Sequence, residues 1–167
     1  HIDAEGVSDD EFRAAMARLA AGVVLVTAHD PDDGPRGEDA GMTATAFMSV
    51  SLDPPLVMVS VRNGSRMDEL LEQQPLWAVS VLPESHRRTA GWFAMKGRLS
   101  DGLLFRDIPH ERGELSGALL VTDALAGLEC RTEQRVPAGD HTLVIGRVLS
   151  TRLGPAADGP LTYFQLY

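Results

Sequence analysis

Thr43, Thr45, Phe47, Ser49 and Ser51 alternate along residues 41–52, a row of small hydroxyls around one aromatic ring with no charged side chain among them. The positions between them, Met42, Ala44, Ala46, Met48, Val50 and Leu52, are apolar. At the two-residue period of a strand, the apolar set faces a core. The hydroxyl set lacks the charge of an ordinary solvated face. Hydroxyls, short side chains and accessible backbone suit a flat molecule laid against them. A second candidate is Gly64-Ser65-Arg66, a turn opening a helix, where free N–H groups and the helix dipole favour an anion and Arg66 adds a cation. The third is His141, which follows Gly139-Asp140 at the mouth of a strand. A histidine so placed serves either structure or chemistry.

Other chemistries are excluded by what the chain lacks. No two glycines are spaced G-x-G, and neither G-x-x-x-x-G-K-[ST] nor G-x-S-x-G occurs. His29, His86, His110 and His141 lack metal-site spacing. Cys130 is the only cysteine, which excludes an internal disulfide, an iron–sulfur cluster and a cysteine-based zinc site. It reads as a small core hydrophobe. No metal is expected. The pattern belongs to a protein that holds a ligand rather than attacks one.

The 167 residues fit one domain with a real core, and 44% apolar and 23% charged residues are ordinary for a globular protein. With 15 basic and 24 acidic residues, the net charge of −9 repels phosphate backbones, so no nucleic-acid partner is expected. No apolar stretch is long enough to span a bilayer and no signal peptide shows, which points to the cytoplasm and away from membranes.

The elements that must position these residues follow from pattern. Ser8 and Glu11 form a capping box for an amphipathic helix carrying Phe12, Ala15, Met16 and Leu19 and stopping near Gly22. Residues 23–28 read as a strand and 29–40 as an acidic Gly/Pro loop. Two strands joined at Asp53-Pro54-Pro55 follow, the second (56–61) buried on both faces. Ser65 caps a short helix with Met67, Leu70 and Leu71 on one side, closed by Pro75. Residues 76–82 form a strand, Ser85 caps a weaker helix through Phe93, and 96–117 read as a long loop. Residues 124–135 alternate as a strand with one wet face, 141–153 form a long strand, and a last one lies in 161–167. The absence of regular strand–helix alternation implies a mainly β, antiparallel sheet closed as a barrel.

In their order and spacing, "LAAGVVLVTA", "GMTATAFMSVSLDPPLVMVSV", "WAVSVL", "FA" at 93–94 and "AGDHTLVIGRV" resemble the flavin reductase-like family. The resemblance runs from about Phe12 to Tyr167. It implies a single-domain antiparallel Greek-key split β-barrel with a few short helices over residues 1–167, usually a homodimer. It also implies FMN or FAD as cofactor and NADH or NADPH as co-substrate. Thr43, Ala44, Thr45, Ala46, Phe47, Ser49 and Val50 match the family stretch that lies against the isoalloxazine and ribityl chain. Gly64, Ser65 and Arg66 match its phosphate turn, and Arg88, or Arg87 beside it, is a further cation for phosphate or pyrophosphate. His141 matches the G-D-H-T by the nicotinamide pocket, while Tyr163 and Phe164 match a stretch lining that pocket. Arg147 departs from the pattern, standing where many relatives have Glu.

The implied function is hydride transfer from NAD(P)H to flavin, with reduced flavin supplied to a partner monooxygenase. Two alternatives stay open: a flavin-binding protein without turnover, and an enzyme whose bound flavin reduces another organic substrate.

Overall fold

The computed structural model describes residues 6–94, 105–155 and 159–163. Its centre is a seven-stranded antiparallel sheet of β2 (Val24–Asp30), β3 (Glu38–Ala44), β4 (Phe47–Ser51), β5 (Leu56–Arg62), β6 (Leu76–Val81), β9 (Ala126–Ala138) and β10 (His141–Leu153). The strand order is β3-β2-β6-β9-β10-β5-β4, so the chain crosses from one side of the sheet to the other rather than running as a meander. Two small ladders complete it: β1 (Ala21–Gly22) with β11 (Thr162–Tyr163), and β7 (His110–Arg112) with β8 (Leu119–Val121). The helices are α1 (Asp9–Met16), α2 (Arg66–Gln73) and α3 (Arg87–Ala94).

The two edge strands, β3 and β4, are consecutive in the chain and separated only by Thr45 and Ala46. A flat seven-stranded sheet would set its edges six spacings apart, roughly 29 Å. Two residues cannot bridge that distance. The sheet is therefore rolled, and a single bent strand supplies both its edges. Residues 38–44 pair with β2, residues 47–51 pair with β5, and the Ala46 carbonyl accepts from Ser60 N–H at 3.1 Å. No ladder joins β3 to β4 among the described residues, so the sheet is rolled but not closed, which corrects the closed barrel expected from the strand pattern and leaves a split at the bend.

Rolling makes two cores. Val24, Val26, Ala44, Val59, Val61, Trp77, Cys130 and Val144 face inward, where α2 plugs the barrel with Met67, Leu70 and Leu71. Val23, Leu25, Phe93, Phe105, Leu119 and Leu161 pack outside, beneath α3. Strand β2 is covered on both faces, which is why its sequence is an apolar run instead of an alternation.

Several expectations are corrected. The first helix ends at Met16 rather than near Gly22, and none of its residues is buried. Strands β2 and β3 extend into the acidic segment, reducing the loop to 31–37. Residues 41–52 are not one straight strand: the bend reverses the faces, so Phe47 packs against the inner core while Met48 and Val50 are exposed. Strand β5 is buried on one face, through Val57, Val59 and Val61, and half-buried on the other. Ser85 does not cap α3, because a 3-10 turn at Glu84–His86 precedes that helix. Part of the expected 96–117 loop lies outside the described residues, and its remainder contains β7.

Candidate functional site

A cleft of about 530 Å³ opens beside the split. Thr43, Ala44 and Thr45 line one wall, Arg87, Ala90 and Gly91 of α3 the opposite one, with Val23, Leu161, Thr162 and Tyr163 between them. A second cleft of about 460 Å³ continues past Thr45 and Tyr163 to Ala46, under Arg13, Met16, Ala17 and Leu19. Thr45 and Tyr163 thus stand on the ridge where the clefts meet. The bend in the strand exposes both Thr45 and Ala46.

The wall formed by α3 is positioned by packing behind it. A Cβ at Gly41 would lie 2.9 Å from ring atoms of both Phe93 and Phe105. The bare backbone of β3 is what lets the Phe93 ring, and with it α3, approach. At the start of the helix His86 is buried, sharing hydrogen bonds with Asp123 Oδ1 at 2.7 Å and Thr89 Oγ1 at 3.1 Å. His86 of the preceding turn, with Thr89 and Phe93 of α3, forms the buried face. Arg87, Ala90 and Gly91 follow at the i, i+3, i+4 spacing of one cleft-side face.

Of the residues singled out from sequence, Thr43, Ala44, Thr45, Ala46 and Tyr163 come together around these clefts. Phe47 belongs to the inner core, and Ser49 and Val50 are exposed on β4 without lining either cleft. Arg88 is exposed and does not line the cleft; its neighbour Arg87 does. Phe164 lies outside the described residues.

Gly64, Ser65 and Arg66 are engaged within the chain. Ser65 Oγ accepts from Asp68 N–H at 3.2 Å, while Gly64 N–H donates to Asp68 Oδ2 at 3.0 Å. Arg135 donates to the other Asp68 oxygen at 2.5 Å. Burial raises the pKa of this carboxyl, but the Gly64 N–H and Arg135 outweigh it and hold the group below its ordinary value. The anion at this helix start is therefore Asp68 itself. The Arg66 guanidinium donates to Asp30 at 3.2 Å and Asp33 at 3.3 Å. Asp30 pairs with Glu38, six residues and roughly 20 Å along the β2–β3 hairpin from Ala44.

His141 sits at the same end of the sheet as the bend, in register with Arg62. Two strand spacings and two residues separate it from Ala46, roughly 12 Å. Its Nδ1 bonds Asp140 Oδ1 at 2.7 Å, and that bond holds the Asp140 carboxyl below its ordinary pKa. The turn is stitched to its neighbour: Asn63 N–H donates to the Asp140 carbonyl, Asn63 Nδ2 to the Gly139 carbonyl, and Thr142 Oγ1 to Asn63 Oδ1. Helix α1 spans the interval, its start lying against Asp140 and its end over Thr45.

Cys130 is fully buried, and burial, with Glu129 adjacent, pushes its thiol up to about 12, so it supplies no thiolate. Arg147 forms an exposed pair with Glu133 at 3.8 Å. No cluster of metal-ligating side chains occurs among the described residues. No helix there is long and apolar enough to cross a membrane.

An antiparallel split barrel with a cleft beside its seam, lined by Thr43, Ala44 and Thr45, defines a structural class. The comparisons give that class a family. Residues 16–166 match the flavin reductase like domain. The chain is 38% identical over 156 residues to the reductase component of 4-hydroxyphenylacetate 3-monooxygenase from Thermus thermophilus, covering 93% of this chain and 92% of that one. It is 37% identical to the NADH-dependent flavin reductase StyB of Pseudomonas fluorescens, covering 92% and 84%. The Streptomyces globisporus NADH:FAD oxidoreductase SgcE6, solved with NAD and FAD fragments, superposes with a TM-score of 0.83 at 32% identity over 98% of this chain and 92% of that one. The chain belongs to the flavin reductase-like family.

Proposed function

We propose that the chain is an NAD(P)H:flavin oxidoreductase whose flavin lies in the cleft beside the Thr45–Ala46 bend. The observation that carries this reading is the cleft wall: Thr43, Ala44 and Thr45 present hydroxyls and backbone and no carboxylate, opposite a helix face no bulkier than alanine beyond Arg87. A flavin ring needs a flat approach and partners for its polar edge, and these residues suit both needs. A flavin held there would supply the hydride acceptor, and a nicotinamide the donor. The chain's own task is positioning: Thr43 and Thr45 orient the ring's polar edge, and Val23 and Leu161 exclude water beneath it. Ala46 and the α1 cleft keep the second face open for a nicotinamide. Reacting atoms must come within about 3–3.5 Å, so this placement is the main catalytic device.

Residues 1–167 act as one split-barrel domain, working in the cytoplasm and delivering reduced flavin to a monooxygenase, as the name of the Thermus relative suggests. His141 holds the dinucleotide at the outer end, and Tyr163 borders the nicotinamide. Ser49, Val50, Gly64, Ser65 and Phe47 support the flavin site through the strand and turn that carry them. The exposed apolar side chains Phe12, Met16, Met48, Val50 and Leu52 are covered in a homodimer, which sedimentation at micromolar concentration would reveal.

Steady-state NADH oxidation with and without micromolar FMN or FAD tests the reading. Turnover that rises with added flavin supports a reductase using flavin as substrate. Flavin binding without NADH oxidation would leave a binding protein instead. Oxidation that depends on a further organic acceptor, with flavin retained, would point to the other alternative.

A further inference from the structure

His86 is a buried titratable group that the cleft chemistry does not use. It ends the 3-10 turn before α3, its side chain is 9% exposed, and it lines neither cleft. Its Nε2 bonds Asp123 Oδ1 at 2.7 Å and its Nδ1 bonds Thr89 Oγ1 at 3.1 Å. A carboxylate only accepts, so Nε2 donates to Asp123, and in the neutral ring Nδ1 accepts from the Thr89 hydroxyl. Asp123 lies in the turn between β8 and β9. That turn is itself anchored: Thr122 N–H donates to the Pro109 carbonyl and Leu125 N–H to the Val81 carbonyl, each at 2.9 Å. The imidazole therefore ties the start of α3 to a fixed point of the sheet.

Further along, Ala90, Trp92 and Phe93 seat the helix by apolar contact against the outer core. Apolar contact is non-directional, so it sets how closely the helix lies but only weakly its rotation. Hydrogen bonds weaken steeply off line and fix that rotation. At about 3.6 residues per turn, the buried face through Thr89 and Phe93 adjoins the cleft face through Ala90 and Gly91. A small rotation of α3 thus moves the cleft wall. We propose that His86 is a positioning residue for flavin reduction: through Asp123 and Thr89 it fixes the rotation of α3, and so the width of the cleft walled by Ala90 and Gly91. The inference rests on reading that cleft as the flavin site. His86 acts only through the helix.

The test compares His86→Ala, His86→Gln and Asp123→Ala with Thr132→Val. The last removes the acceptor of the Trp77 indole N–H and lies on neither cleft. FMN binding is followed by fluorescence at a temperature where each protein is folded, and KM is measured separately for FMN and for NADH. In His86→Ala, Kd and KM for FMN rise by about threefold to tenfold, a part of the strength of a charged hydrogen bond, while KM for NADH holds. His86→Gln keeps a donor for Asp123 and recovers part of the loss. Asp123→Ala, at a side chain 48% exposed, shifts FMN in the same direction and carries the test alone should His86→Ala not fold. Thr132→Val lowers the melting temperature without moving Kd. A histidine that serves stability alone gives a lower melting temperature with the FMN affinity of the folded protein unchanged, and that result overturns the proposal. So does an equal rise in both KM values, or a Thr132→Val that weakens FMN as much as His86→Ala does. Failure of the unaltered protein to bind FMN or FAD would remove the flavin reading itself, an outcome distinct from a silent His86→Ala.

Discussion

Helices α2 and α3 both begin with an arginine beside a turn, yet one start is closed and the other open. At α2 the chain supplies its own anion: Asp68 takes the Gly64 N–H and the Ser65-capped turn, and Arg66 is neutralised from the far end of the β2–β3 hairpin. At α3 no carboxylate of the described residues pairs with Arg87, and the adjoining face carries only Ala90 and Gly91. The two starts look alike in sequence. What separates them is which distant side chains the fold brings near: Asp30 and Arg135 to the first, Thr43 and Tyr163 to the second. Whether a basic residue at a helix start is matched depends on side chains that the fold, and not the local sequence, brings near.

The closed start should break hardest. Asp68→Asn removes the nearer of the two carboxylates that pair with Arg135, whose side chain is only 23% exposed, leaves Glu72 at 3.7 Å, and weakens the acceptor for Gly64 N–H. Stripping one partner from such a pair should cost about 2–4 kcal/mol in chemical unfolding. Flavin affinity of the folded fraction should stay unchanged. Because the Asp68 carboxyl is held below its ordinary value in the folded state, its contribution is present in full above about pH 4 and is lost as pH falls through the folded value. The stability gap between Asp68→Asn and the unaltered protein should therefore narrow below about pH 4. A constant gap down to acid unfolding would mean that Asp68 acts through packing instead.

Gly41→Ala attacks the open start from behind. Its Cβ would press on Phe93 and Phe105, the contacts that seat α3 against β3. Overpacking of this kind costs about 1–3 kcal/mol. Here the loss should be shared between stability and ligand, since the displaced helix carries Arg87. A lower melting temperature with undiminished riboflavin affinity would show that the α3 wall does not shape the flavin cleft.

Much of this was legible in the sequence. The capping Ser8 and Ser65, the inward Cys130 and the full extent of β10 follow from local pattern, because capping and alternation are local effects. The hydroxyl stretch reached the two clefts from Thr43 to Ala46. Its continuation did not, because the bend at Thr45–Ala46 reverses the faces and sends Phe47 inward; no Gly or Pro announces that bend. The sequence left Arg87 and Arg88 as alternatives; the structure separates them, because the buried His86, Thr89 and Phe93 mark the inner face and Arg87 alone of the two lines the cleft. The aspartates that occupy Arg66 lie more than thirty residues away along the chain, and no local pattern reveals them.

Equilibrium dialysis of the unaltered protein against riboflavin, FMN and FAD tests the central claim most directly, because it needs neither turnover nor a partner. The cleft beside Thr43–Ala46 should bind at least one of the three at micromolar concentration. Absent or millimolar binding of all three would contradict the account: the hydroxyl wall would then be a solvent-facing surface and not a cofactor site.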